Sequence, residues 1–201
     1  DLDPFSALME EQRTRARGAS KGEGHQLATG AFAILSRAGE SRFVGYEEVE
    51  TETTLDQFID GKYIVLARTP FYVEAGGQVD DLGVIESPDF LAEVVDSVRQ
   101  ESRIVHEVKI VRGDPRAAVG KRVIARVDGL RRRDTERNHS ATHLVHEALR
   151  SVLGTHLHQQ GSLVAPDRLR FDFNHFERIT PDQLRAIEEI VIQGEGAPAH
   201  S

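Results

Sequence analysis

The sequence predicts an α+β protein: a small β-barrel-like subdomain followed by an α/β subdomain in which a histidine-bearing helix packs on antiparallel strands. Three observations predict it. Short β-rich runs, broken by turn residues, occupy about Glu40 to Asp128. A helical period then carries His139, His143 and His146 at i, i+4 and i+7. A pair of strands and a second capped helix close the pattern.

Phe5 to Ala19 reads as a helix, with Phe5, Leu8, Met9 and Ala16 near helical spacing and charged residues on the other faces. Gly18 and the Ser20–Gly24 segment end it like a linker, so residues 1–24 are expected to be a helix and linker from a preceding region. The barrel-like subdomain is assigned to residues 25–128. Its strands are expected at Thr51–Thr54, Tyr63–Ala67 after the Asp60-Gly61 turn, Gly83–Ile85, Leu91–Val98, Ile104–Val111 and Arg122–Val127. Arg68 to Asp81 has neither a helix nor a strand period.

The second subdomain is assigned to residues 129–193, as the N-terminal part of a larger unit. Asp134 is the expected N-cap of a helix over Thr135–Leu153, whose buried face is Ala141, Leu144, Val145, Ala148, Leu149 and Val152. Gly154 is its natural stop. His156–Val164 is expected as a strand, with His156, His158 and Gln160 on one face and Leu157 and Gln159 on the other. Pro166-Asp167 turns the chain, and Leu169, Phe171 and Phe173 alternate with polar residues in the partner strand. Thr180, Pro181 and Gln183 form a capping-box start for a last helix with Leu184, Ile187, Ile190 and Val191 on its apolar face. Residues 194–201 read as a ragged tail.

Composition narrows the function. The chain has 201 residues and a net charge of −8, which argues against a nonspecific nucleic-acid coat. The absence of cysteine rules out disulfides and cysteine metal ligands within these residues. No run approaches the roughly eighteen apolar residues of a membrane span, and no membrane partner is expected. The start lacks the basic and apolar regions of a secretory signal, so a cytoplasmic location is expected. Arg131, Arg132, Arg133 and Arg137 crowd ahead of the histidines, as a solvated turn or as a phosphate-binding patch.

Residues four apart share a helix face, so His139 and His143 can aim their imidazoles at one point, as a divalent metal requires. Such a pair also arises by chance on helix surfaces. His146 sits at a different angle and is expected to pack or to support the pair. Ser140 stands where a metalloprotease motif needs glutamate. Gln159, on the leucine side of its strand, is either an edge amide or a pocket residue that orients substrate. Gly76-Gly77 either makes a turn or lets backbone approach a ligand.

The run Arg68–Gly83, the motif Arg137-Asn138-His139-Ser140-Ala141-Thr142-His143-Leu144 and the run Gly161–Phe173 together resemble the editing domain of the alanyl-tRNA synthetases. The same domain type resembles freestanding alanyl-tRNA editing proteins and, more distantly, the threonyl-tRNA synthetase editing domain. The resemblance covers about Phe5 to Ile192. It implies hydrolysis of tRNA(Ala) wrongly charged with serine or glycine, and tRNA(Ala) as partner. It implies zinc held by His139 and His143, a pocket glutamine with a catalytic and substrate-binding role at Gln159, and a substrate-bordering glycine loop at Gly76 and Gly77. The family's second ligand pair, a cysteine and a histidine from a later segment, has no match, so zinc is expected to be weak or absent here. ATP and magnesium would belong to a synthetic domain before residue 1, and the oligomeric state is open. The rival expectation is a non-catalytic tRNA-binding module using Arg131–Arg133; a freestanding deacylase is a third.

Overall fold

The structure is a computed structural model that describes residues 39–195, leaving the side chain of Glu195 aside. The expected helix at Phe5–Ala19, its linker and most of the 194–201 tail lie outside the described residues. Two compact units emerge: residues 39–74 with 80–132, and residues 75–79 with 133–195. The glycine loop therefore groups with the second unit.

The first unit is a six-stranded closed barrel. Its strands are β2 (Glu50–Ile59), β3 (Tyr63–Leu66), β5 (Gly83–Ser87), β6 (Phe90–Gln100), β7 (Arg103–Gly113) and β8 (Arg122–Val127), arranged β2-β3-β7-β6-β5-β8. A short parallel pair, β1 (Arg42–Phe43) with β4 (Arg68–Thr69), accompanies it. Alternation builds the barrel wall. In β8, Val123, Ala125 and Val127 turn inward while Arg122 and Ile124 face solvent; in β2, Thr51, Thr53 and Leu55 alternate with Glu50 and Glu52. Across these antiparallel strands Glu50 pairs with Arg126 in register, and their side chains meet as an ion pair. Bulges in β2 and in the β6–β7 ladder supply the local bending that closure of a small barrel demands. Asp60 and Gly61 both take positive φ at the β2–β3 turn.

The core is Leu55, Ile64, Leu66, Phe71, Ile85, Phe90 and their neighbours. Fully buried among the strands lies His106. Thr69 Oγ1 is 3.0 Å from its Nε2 and Ser97 Oγ is 2.8 Å from its Nδ1, so both ring nitrogens are satisfied. Burial pushes its pKa from 6.5 down to about 3, and the imidazole is neutral at physiological pH.

The helix α1 (Gly129–Leu153) begins six residues before the expected start. Its cap is Asp128, whose Oδ1 accepts from the amides of Leu130 and Arg131 at 3.1 Å each, not Asp134. Asp134 instead lies inside the helix and pairs with Arg137 one turn on. The added turn is stabilised by Arg132, which is buried in the first unit. Its guanidinium pairs with Asp81 and donates to the carbonyls of Gly45 and Pro70 at 2.6 Å.

The second unit packs α1 and α2 (Pro181–Glu195) on a two-stranded sheet, β9 (Gln159–Ala165) with β10 (Arg168–Phe173). Ala148, Leu149, Leu153, Leu157 and Ile187 form its core, with Phe171, Phe173 and Val191 against them. The strand β9 starts three residues later than expected. Leu157 is fully buried before the strand begins, and His156 stacks on His175 instead of joining an alternating face. The capping box of α2 forms as expected: Gln183 N–H donates to Thr180 Oγ1 at 3.2 Å and Thr180 N–H to Gln183 Oε1 at 2.9 Å. The helix runs two residues past the expected end at Gln193. No described helix is long and apolar enough to cross a membrane.

Candidate functional site

The site lies within the second unit and is built from α1, the glycine loop and the start of β9. Four-residue spacing places His139 and His143 on one face of α1, and both side chains are exposed. Their Nε2 atoms converge to 3.1 Å, with ring centroids 5.0 Å apart. His146, one turn on, does not join them. Its ring lies 5.1 Å from that of Phe171, so packing is its role.

Ala75–Val79 forms the second wall. Ala75 and Gln78 exchange backbone hydrogen bonds around Gly76 and Gly77, which adopt φ of 60° and 87°. A side chain at Gly77 would be strained in that conformation and would place its Cβ 2.5 Å from the Ser162 carbonyl oxygen. The double glycine is thus both a turn and a close approach of backbone to β9. Gln78 Oε1 lies 2.8 Å from His139 Nδ1.

Gln159 supplies the third wall. It is exposed at the start of β9, which corrects its expected place on an apolar face: the strand begins at Gln159 itself, so alternation from Leu157 does not reach it. Its amide donates to Ser162 Oγ at 3.0 Å, and Ser162 Oγ–H to the Gly76 carbonyl at 3.3 Å. A continuous chain of contacts therefore runs from Gln159 through Ser162 and the glycine turn to Gln78 and His139. Sequence reasoning singled out the histidines, Gln159 and the glycines. It passed over Ser162 and gave Gln78 no role of its own; a glutamine directly after two glycines was the available signal.

The converging nitrogens fit two corners of a metal site. Two ligands of a tetrahedral zinc at 2.0–2.1 Å would lie about 3.3 Å apart. Among the described residues no group of three or more His, Cys, Asp or Glu is arranged to hold a metal ion. The arginine cluster divides differently from either expectation. Arg132 is neither in a solvated turn nor available to phosphate, because its guanidinium is committed to Asp81 and two carbonyls. Arg133 and Arg137 are exposed on α1.

One further group carries unusual electrostatics, in the first unit. Asp80 has one carboxylate oxygen sealed from solvent without a hydrogen-bond partner. Burial first, and the charge of Asp96 second, raise its pKa from 3.8 to about 7, with Arg131 opposing.

Residues 1–131 match the family described as tRNA synthetases class II (A). The chain belongs to that family. It is similar throughout to proteins named alanine–tRNA ligase: 42% identical to one from Desulforamulus reducens over 95% of the chain, 45% to one from Halorhodospira halophila over 96%, and 42% to one from Thermus thermophilus over 95%. The chain spans 23% of the length of each of these curated relatives. The family match ends within the first turn of α1, whereas the similarity to these relatives extends over the histidine pair and the β9–β10 hairpin.

Proposed function

We propose that the chain is the editing region of an alanine–tRNA ligase and hydrolyses the ester of tRNA(Ala) charged with serine or glycine. The observation that carries this reading is the convergence of the two Nε2 atoms at 3.1 Å beside the Gly76-Gly77 turn. These histidines stand where the resemblance to the editing domain puts its first pair of zinc ligands. A zinc ion held by His139 and His143, with its remaining ligands from outside the described residues, would polarise the ester carbonyl as a Lewis acid.

The chain's own residues supply orientation and selection. Alanine and serine differ by one hydroxyl, which an apolar synthetic pocket rejects poorly. The Gln159 amide, the Ser162 hydroxyl and the backbone of the glycine turn offer a polar surface that such a hydroxyl can satisfy. Gln159, Ser162 and Gly76 already bond to one another, so the discrimination rests on their remaining valences, such as the Gln159 carbonyl oxygen, which alanine cannot engage once water is displaced. The partner is then tRNA(Ala), the setting the cytoplasm, and ATP-dependent alanine activation belongs to another region of a longer protein.

The test is deacylation of pre-charged seryl- and alanyl-tRNA(Ala) by the full-length protein containing this region. A His139→Ala, His143→Ala double variant is expected to lose at least about 100-fold in seryl-tRNA hydrolysis, since several kcal/mol of electrostatic stabilisation disappear. Alanine activation should stay near normal because the synthetic site is distant. Gln159→Ala should be milder and should alter discrimination between serine and alanine. Full seryl-tRNA hydrolysis by the double variant refutes the assignment; a loss confined to tRNA affinity favours a binding module.

A further inference from the structure

Gln78 is held more firmly than a surface loop residue needs to be. Its peptide is pinned to one buried residue of β9 from both sides: Val164 N–H donates to the Gly77 carbonyl at 2.7 Å, and Val79 N–H donates to the Val164 carbonyl at 3.0 Å. The helix bearing His139 is tied to the next two residues of the same hairpin. Asn138 Nδ2 donates to the carbonyls of Ala165 at 2.7 Å and Pro166 at 3.2 Å. Both ends of the Gln78–His139 contact thus hang from residues 164–166, and their separation is set by backbone rather than by surface side chains.

The chemistry of the contact decides a proton. An amide oxygen only accepts, so at 2.8 Å the His139 Nδ1 must donate. A neutral imidazole with its proton on Nδ1 carries its lone pair on Nε2, the nitrogen that faces His143. The opposite tautomer would direct an N–H at the point where the two rings converge and would require the Gln78 amide to turn over so that its Nε2 donates to Nδ1. We infer that Gln78 is the positioning residue of the pair: it holds His139 in the Nδ1–H tautomer and fixes the ring so that Nε2 presents its lone pair toward His143 and to a divalent cation. The consequence for catalysis rests on the editing function proposed above; the tautomer itself does not.

The experiment uses the 201-residue chain labelled with 15N-histidine, without metal, at a pH where the rings are neutral. Two-bond 1H–15N spectra distinguish the tautomers, and the His139 signals are assigned by their loss in His139→Gln. Wild type is expected to show His139 as Nδ1–H. Gln78→Met, unbranched and of similar length but with only a weakly accepting sulfur, should lose that preference, and Gln78→Glu, which restores an oxygen acceptor, should recover it. Titration with Co2+ should then show about 10–100-fold weaker binding for Gln78→Met than for wild type, with Gln78→Glu close to wild type. A purely structural role for Gln78 would weaken both variants alike and leave the tautomer unchanged. Wild-type His139 in the Nε2–H form overturns the inference without recourse to any variant, as does an unchanged tautomer in Gln78→Met. Should the tautomer switch while the histidine double variant still hydrolyses seryl-tRNA(Ala), the editing function fails and the positioning role stands.

Discussion

Asp80→Asn should stabilise the barrel far more at pH 8 than at pH 5 and should match wild type only below about pH 3.8. The buried carboxyl titrates near 7 in the folded protein against an ordinary 3.8. Between those values the folded state binds the proton more tightly than the unfolded state. Stability from this group is therefore full below 3.8 and is lost as pH rises through 7. By pH 8 the loss approaches three pKa units, or roughly 4 kcal/mol at 1.36 kcal/mol per unit. Asparagine keeps the shape of the protonated acid and has no charge to bury. Wild type has already lost roughly 1.5 kcal/mol of this contribution at pH 5, so the variant should exceed it by about that much at pH 5 and by roughly 4 kcal/mol at pH 8. Urea unfolding at both pH values reads this as a shift in midpoint at constant slope. An equal midpoint difference at pH 5 and pH 8 would refute the reasoning, because it would mean that the sealed oxygen has no bearing on where Asp80 titrates.

Two further expectations concern the same unit. His106 works in the opposite direction: its folded pKa lies near 3 against 6.5, so stability is full above 6.5 and is lost as pH falls. Acidification from pH 7 to 5 should cost about 2 kcal/mol through this group, and His106→Gln should remove that slope, measured by urea midpoints in the Asp80→Asn background where the opposing term is absent. Arg132→Ala should destabilise by about 3–5 kcal/mol because it strands the buried Asp81 carboxylate, whereas Arg133→Ala on the exposed face should change stability by less than about 0.5 kcal/mol; thermal unfolding of the two variants compares them.

Periodicity alone carried the sequence a long way. The two-residue alternation in Arg122–Val127 and Leu169–Phe173 and the four-residue spacing of His139 and His143 are local properties of the backbone, legible without knowing any neighbour. The Thr180/Gln183 box was legible for the same reason, since both partners lie within one turn. The choice between Asp128 and Asp134 as the cap of α1 was not local. Either residue suits the position, and the decision fell to Arg132, whose partners Asp81, Pro70 and Gly45 lie 51 to 87 residues away. Likewise the sequence by itself determined that two histidines share a helix face, and through its motifs that they belong to a synthetase family. Only the tertiary structure decided that Gln78, 61 residues earlier, meets His139, that Ser162 joins Gln159 to the Gly76 carbonyl, and that His106 is sealed between two hydroxyls. Side-chain partners of that kind depend on strand register and loop closure, which pair residues by position in space; a local pattern of residue types contains the valences but not the pairing.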